Sequence, residues 1–259
     1  MNHIPALAPV TGFKAVEVTQ DGPVLRVLLD PHGTDPTLST AVVDDLLALL
    51  DSLHDRPDLR VLVLSSAGAD FCSGADRTEY EAALADTSLR RLLDRAQRLC
   101  RALEECHAVT IARLHGKVIG AGLALAAYCD LRAGADDCRF RMPEVGLGLP
   151  PAWGGAMGRL VAEAGAARIR ELMLTCDVFD AETAHRLGLL HRTVPPDQLD
   201  HAVDNWTRSL VRRSPEALVL TKRMLTGYAR AHRTADIALL DSHLLSSHLG
   251  QVAARRPAG

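Results

Sequence analysis

The chain has 259 residues, 47% of them hydrophobic and 24% charged, with a formal net charge of -3 from 29 basic and 32 acidic side chains. That balance excludes a disordered or supercharged chain, and it gives no electrostatic reason to expect nucleic acid. The longest uncharged apolar stretch, residues 118–129, is far short of the roughly 20 residues that cross a bilayer, and residues 1–10 lack the basic and apolar pattern of a secretory signal. The expectation is a cytoplasmic protein without a membrane span. Six cysteines show no CxxC pair or knuckle spacing, which argues against a disulfide scaffold and a structural metal, so they read as small apolar fillers.

In chain order, residues 24–29 read as a strand, 30–36 as a turn-rich link, and 39–53 as a helix. Ser39 is a plausible cap, and Val43, Leu46, Leu47, Leu50 and Leu53 fall on one helical face. The plan then repeats. Residues 60–65 read as a buried strand, a Gly-containing loop follows, and residues 88–103 form a helix with Leu89, Leu93, Ala96, Leu99 and Leu103 on one stripe. Arg90, Arg91, Arg95, Arg98 and Arg101 take its other face, expected to be solvated. A third unit has a strand at 109–114, a second Gly-rich loop, a short apolar helix at 122–128 and a strand at 131–133.

Helical patterns follow at 155–163, 166–175 and 181–187, with Gly188 as a stop. Strands alternating with helices imply an α/β core of largely parallel pairing. After Pro195 and Pro196 the strands cease, and residues 197–213, 215–228 and 234–249 all read as helices. The spacing therefore divides the chain into a core, 1–195, and a helical region, 196–259.

Three segments offer chemistry. The loops Ala67-Gly68-Ala69-Asp70-Phe71-Cys72-Ser73-Gly74-Ala75-Asp76 and His115-Gly116-Lys117-Val118-Ile119-Gly120-Ala121-Gly122 let backbone N–H groups approach a ligand, the second at a helix start. Each is equally consistent with a tight turn. Glu144 stands in an apolar, Gly- and Pro-rich run with no basic residue between it and Arg159; burial there would raise its pKa and suit it to moving protons, whereas exposure would make it an ordinary surface carboxylate. No GxSxG elbow, phosphate-binding loop or HExxH motif occurs, and the eleven histidines do not cluster, so no metal is expected.

Taken in order, these segments resemble the crotonase (enoyl-CoA hydratase/isomerase) superfamily. The resemblance is carried by Asp70 through Asp76, by His115-Gly116 with Gly120-Ala121-Gly122, by Tyr128-Cys129-Asp130-Leu131-Arg132, by Pro143-Glu144-Val145-Gly146-Leu147-Gly148, and by Asp180-Ala181 leading to Gly188-Leu189 and Val194-Pro195. It implies a spiral of strand-strand-helix units and C-terminal helices that build a homotrimer or a dimer of trimers. It implies an acyl-CoA thioester as substrate, with coenzyme A part of the substrate and no separate cofactor.

By motif, the N–H groups of Ala75 and Ala121 would hold the thioester oxygen and stabilise an enolate. Phe71, Ser73, Gly74, Asp76, Gly120, Gly122 and Trp153 would line the substrate and CoA site. Family hydratases use two glutamates, whose positions map to Ala124 and Glu144; this chain keeps only the second. A lone Glu144 resembles the isomerases, which move a double bond with one acid/base. Glu79 and Tyr80 could supply a second polar group or lie on the surface, and Arg255 and Arg256 sit where basic residues are expected at the C-terminal end.

Overall fold

Apolar runs with polar ends build the strands, and the computed structural model describes residues 8–34, 36–85 and 88–232. Strands β1 (Ala8–Val10), β2 (Glu17–Asp21) and β3 (Val24–Leu28) form an antiparallel meander. A short β4 (Thr37–Leu38) leads into α1 (Thr40–Ser52), where the Ser39 Oγ accepts a hydrogen bond from Val42 N at 3.3 Å, the cap expected from sequence. Next come β5 (Val61–Ser65), β6 (Gly74–Ala75), α2 (Arg77–Ala85) and α3 (Leu89–Glu105). They are followed by β7 (Val109–Leu114), β8 (Lys117–Ile119), α4 (Ala121–Ala127), β9 (Leu131–Ala135) and β10 (Arg139–Arg141).

The later part contains α5 (Met157–Ala164), α6 (Ala166–Thr175), β11 (Phe179–Asp180), α7 (Ala181–Arg186) and β12 (Arg192–Val194). Then α8 (Leu199–Val211) and α9 (Pro215–His232) follow without a strand between them. The expected helix at 234–249, and Arg255 and Arg256, lie outside the described residues.

The main sheet runs β1-β2-β3-β5-β7-β9-β12 and is parallel from β3 onward. Between successive main strands the chain places a short strand in a second layer and then helix: β4 with α1, β6 with α2 and α3, β8 with α4. The short strands pair among themselves, β4 with β6 and β8 with β10, in parallel. This is the strand-strand-helix spiral anticipated above. Val27, Val61, Leu64, Ile111 and Ala133 are fully buried in the sheet, α8 lies across β5, β7 and β9, and Phe140 stacks on Phe179 with ring centroids 5.3 Å apart. All six cysteines are buried thiols outside any disulfide. Among the described residues, no helix is long and apolar enough to cross a membrane.

Candidate active site

The two Gly-rich loops run side by side because their backbones pair. Phe71 N donates to His115 O (2.9 Å), Cys72 N to Lys117 O (3.0 Å) and Ile119 N to Cys72 O (2.9 Å), around a parallel bridge between Cys72 and Val118. Close approach explains Gly116: at φ +55°, a β-carbon there would stand 2.0 Å from Ala69 O. Asp70 fixes the same corner, its carboxylate accepting from Lys117 N at 2.9 Å and from Lys117 Nζ at 3.2 Å. Beyond this pairing the chains diverge into β6, ending at Ala75, and into α4, beginning at Ala121, and these two elements pack together. As the first residue of α4, Ala121 has an N–H with no acceptor inside the helix.

Glu144 comes from the segment after β10. A 3-10 turn at Val145–Leu147 reverses the chain, Leu149 N returns to Glu144 O at 2.9 Å, and Gly146 N donates to Cys176 Sγ at 3.2 Å. This places the Glu144 carboxylate beside Gly120, the residue that precedes α4. Burial pushes its pKa above the ordinary glutamate value.

A cavity of about 20 Å³ opens beside the carboxylate, lined by Gly120, Ala124, Met142, Glu144, Trp153 and Met157 among others. That is room for about one water molecule. Glu144 is the one titratable side chain among the lining residues, and Ala124 faces the same space. Larger clefts, of about 550 Å³ beside β2, β3 and α8 and about 730 Å³ between α1 and α9, are lined by none of Ala75, Ala121 and Glu144.

Trp153 is a wall of this cavity, in the 3-10 turn Trp153–Gly155. The turn is held from behind: Tyr128 Oη donates to Gly155 O (3.2 Å), and the Arg159 guanidinium lies over the Tyr128 ring at 5.3 Å. Arg159 in turn pairs with the buried Glu104 (3.0 Å), which also accepts Arg230 of α9 (2.7 Å). The motif around Tyr128 thus serves as framework. Asp130 accepts from Thr110 N and Oγ1 (2.7 and 2.9 Å) and pairs with Lys222 Nζ at 2.7 Å, while Arg132 reaches Glu163 at 2.6 Å.

Several of the expected lining residues have packing or capping contacts within the chain. Phe71 is 0% exposed, its side chain packed in the core behind the loop. Gly122 is buried against Cys72, where it permits close packing, and Asp76 caps α2 through Glu79 N at 2.9 Å. Ser73 is exposed beside the half-buried Ala75, while Gly74 and Gly120 shape the backbone around the two candidate amides. Glu79 faces away, its carboxylate accepting from both Thr40 N and Thr40 Oγ1 at 2.6 Å. Tyr80, also on α2, is half-buried, and burial together with the charge of Glu144 pushes its phenol pKa up.

A family model for enoyl-CoA hydratase/isomerase matches residues 21–255, and the chain belongs to that family. It is 30% identical over 228 residues to the peroxisomal Delta(3,5)-Delta(2,4)-dienoyl-CoA isomerase of Arabidopsis thaliana, covering 82% of each chain. It is 31% identical over 183 residues to the crotonyl-CoA hydratase of Syntrophomonas wolfei, covering 69% of this chain and 70% of that one. Among solved structures, Pseudomonas aeruginosa AtuE superposes with a TM-score of 0.78 at 30% identity, over 82% of this chain and 83% of that one. An enoyl-CoA hydratase/isomerase from Mycobacterium paratuberculosis gives 0.82 over 93% and 94%, and at 21% identity it speaks for the fold alone.

Proposed function

We propose that this protein binds an acyl-CoA thioester and moves a double bond along its acyl chain, with Glu144 as the sole acid/base. The supporting observation is that Glu144 is the one titratable side chain lining its cavity, which Ala124 also lines. In this reading the thioester oxygen rests between the N–H groups of Ala75 and Ala121. The Glu144 carboxylate takes a proton from C2 of a 3-enoyl chain, and the electron pair spreads into a dienolate whose charge falls on that oxygen. The protonated Glu144 then returns the proton to C4, leaving the double bond between C2 and C3. No second acid or base enters the step. Each amide donor in such an arrangement is worth about 10² to 10³ in rate.

Hydration of a 2-enoyl chain is the second reading, favoured by a cavity with room for one water. Incubation with 3-enoyl- and 2-enoyl-CoA in heavy-oxygen water separates the two by mass spectrometry. Double-bond migration without label on carbon supports isomerisation, and label on carbon overturns it. Binding of acyl-CoA without any exchange of the C2 proton would reduce the protein to a thioester binder. We also propose that region 196–259 joins copies of the chain into a trimer or a dimer of trimers, in keeping with the exposed Leu220, Met224, Leu225 and Tyr228 on α9.

A further inference from the structure

Tyr80 lies one turn into α2, its N–H donating to Asp76 O at 3.1 Å. The ring is half-buried and packs on the small cluster of Ala83, Leu89, Leu93 and Ala152, beside Leu149. Those contacts set the ring against the segment that follows Glu144. Leu149 N is bonded to Glu144 O, and Ala152 stands between Pro151 and Trp153, both of which line the Glu144 cavity. The phenol is close enough to Glu144 that the carboxylate's charge adds to burial in pushing the phenol pKa up. At neutral pH the hydroxyl is therefore a neutral hydrogen-bond donor. Apart from the Glu144 carboxylate, the cavity is walled by apolar side chains, Leu123, Ala124, Met142, Trp153, Met157 and Met173 among them.

We propose that Tyr80 is a specificity-determining residue, its hydroxyl a neutral hydrogen-bond donor for an oxygen carried on the acyl chain, so that the preferred substrates are hydroxy- or oxo-substituted acyl-CoAs. The proposal rests on the acyl-CoA reading above. An all-carbon tail that displaces water from the hydroxyl offers it no acceptor, and a donor left unmatched weakens such a complex by about tenfold or more. A tail with an oxygen at the right carbon avoids that penalty. Sites built around a polar partner reject the analogue that lacks it far more strongly than apolar pockets reject an extra methylene.

The test uses matched acyl-CoAs of one length, unsubstituted or bearing a hydroxyl or oxo group at successive carbons from C5 outward. Exchange of the C2 proton with solvent deuterium is measured for the wild-type protein and for Tyr80→Phe, which keeps the ring. The expected result is that at least one oxygenated chain exceeds the plain chain by about tenfold or more in kcat/KM. Tyr80→Phe should bring that ratio to about one, by raising the plain chain, relieved of an unmatched hydroxyl, and by lowering the oxygenated chain, deprived of its donor. No preference in the wild type, or an equal loss on both chains in Tyr80→Phe, overturns the proposal. So does heavy-oxygen incorporation that Tyr80→Phe abolishes, since the hydroxyl would then be holding water. Glu144→Gln is run alongside. Exchange that survives in Glu144→Gln sinks the acid/base reading itself, whereas exchange lost there with an unaltered ratio in Tyr80→Phe sinks the specificity proposal alone.

Discussion

Glu144 Oε1 lies 3.2 Å from the point at which a β-carbon on Gly120 would stand, and Gly120 holds φ at +50°. The glycine and the carboxylate therefore occupy one fitted space. Gly120→Ala should strain the backbone by about 1–3 kcal/mol and press the carboxylate out of place. The expected outcome is a fall in turnover out of proportion to the loss of stability, read by comparing kcat with the midpoint of urea denaturation. Equal losses in both would mean that the contact is structural.

Glu144 also carries a pH signature with a definite sign. Its pKa is raised by burial, so the folded state prefers the neutral acid; the associated stability is complete below the ordinary glutamate value of 4.5 and is lost as pH rises through the folded-state value. Glu144→Gln should therefore be more stable than the wild type at neutral pH, with the two converging in acid. Turnover needs the ionised base, so the acid limb of the kcat profile should lie above 4.5, and Glu144→Gln should lose about 10² to 10⁴ in rate. Thermal denaturation across pH and a pH-rate profile check the two halves separately.

Lys222, only 7% exposed, ties α9 to the core through Asp130 and through the carbonyl oxygens of Ala108 and Leu103. Lys222→Met leaves Asp130 with its Thr110 bonds but without its counter-charge. A cost of about 3 kcal/mol is expected, with partial recovery in Lys222→Met combined with Asp130→Asn. Urea denaturation of the single and double variants measures both numbers.

At the corner where the two loops meet, Gly116→Ala would place a β-carbon 2.0 Å from Ala69 O, so one backbone has to move. The cost should exceed the roughly 1 kcal/mol of an average substitution. Because the loops carry Ala75 and Ala121, turnover should fall more than acyl-CoA affinity. Isothermal titration and steady-state kinetics on the same sample distinguish this from simple unfolding.

The elements legible in the sequence were those with long apolar periodicity. The stripes on α1 and α3 and the runs of β5 and β7 gave themselves away by spacing, and Ser39 announced its own cap. The short second-layer strands β4, β6, β8, β10 and β11 did not, since two or three residues carry no period and their existence depends on a partner from elsewhere in the chain. β2, with Glu17, Thr19, Gln20 and Asp21, was too polar to stand out. α2 was hidden inside what reads as loop, and with it the packing of Tyr80 on Ala83, Leu89, Leu93 and Ala152 and the turn of Glu79 toward Thr40. Glu144 and the two glycine-rich loops were visible as types of residue in order, but the backbone pairing of Cys72 with Val118 that brings them together is long-range and leaves no local mark. The burial of Phe71 was not legible either, because its neighbours in the motif are loop residues while its side chain is 0% exposed.

In the proposed cradle the thioester oxygen is held by peptide N–H groups, so the side chains at positions 75 and 121 take no part in holding it. An alanine scan would pass over both positions, which already carry alanine, and at the buried Ala121 a larger side chain would overpack the core before it reported on the amide. Replacing single amide linkages by esters through chemical synthesis or expanded-code translation would delete one proton at a time while leaving every side chain in place, and that is the form of perturbation to which this kind of architecture is vulnerable.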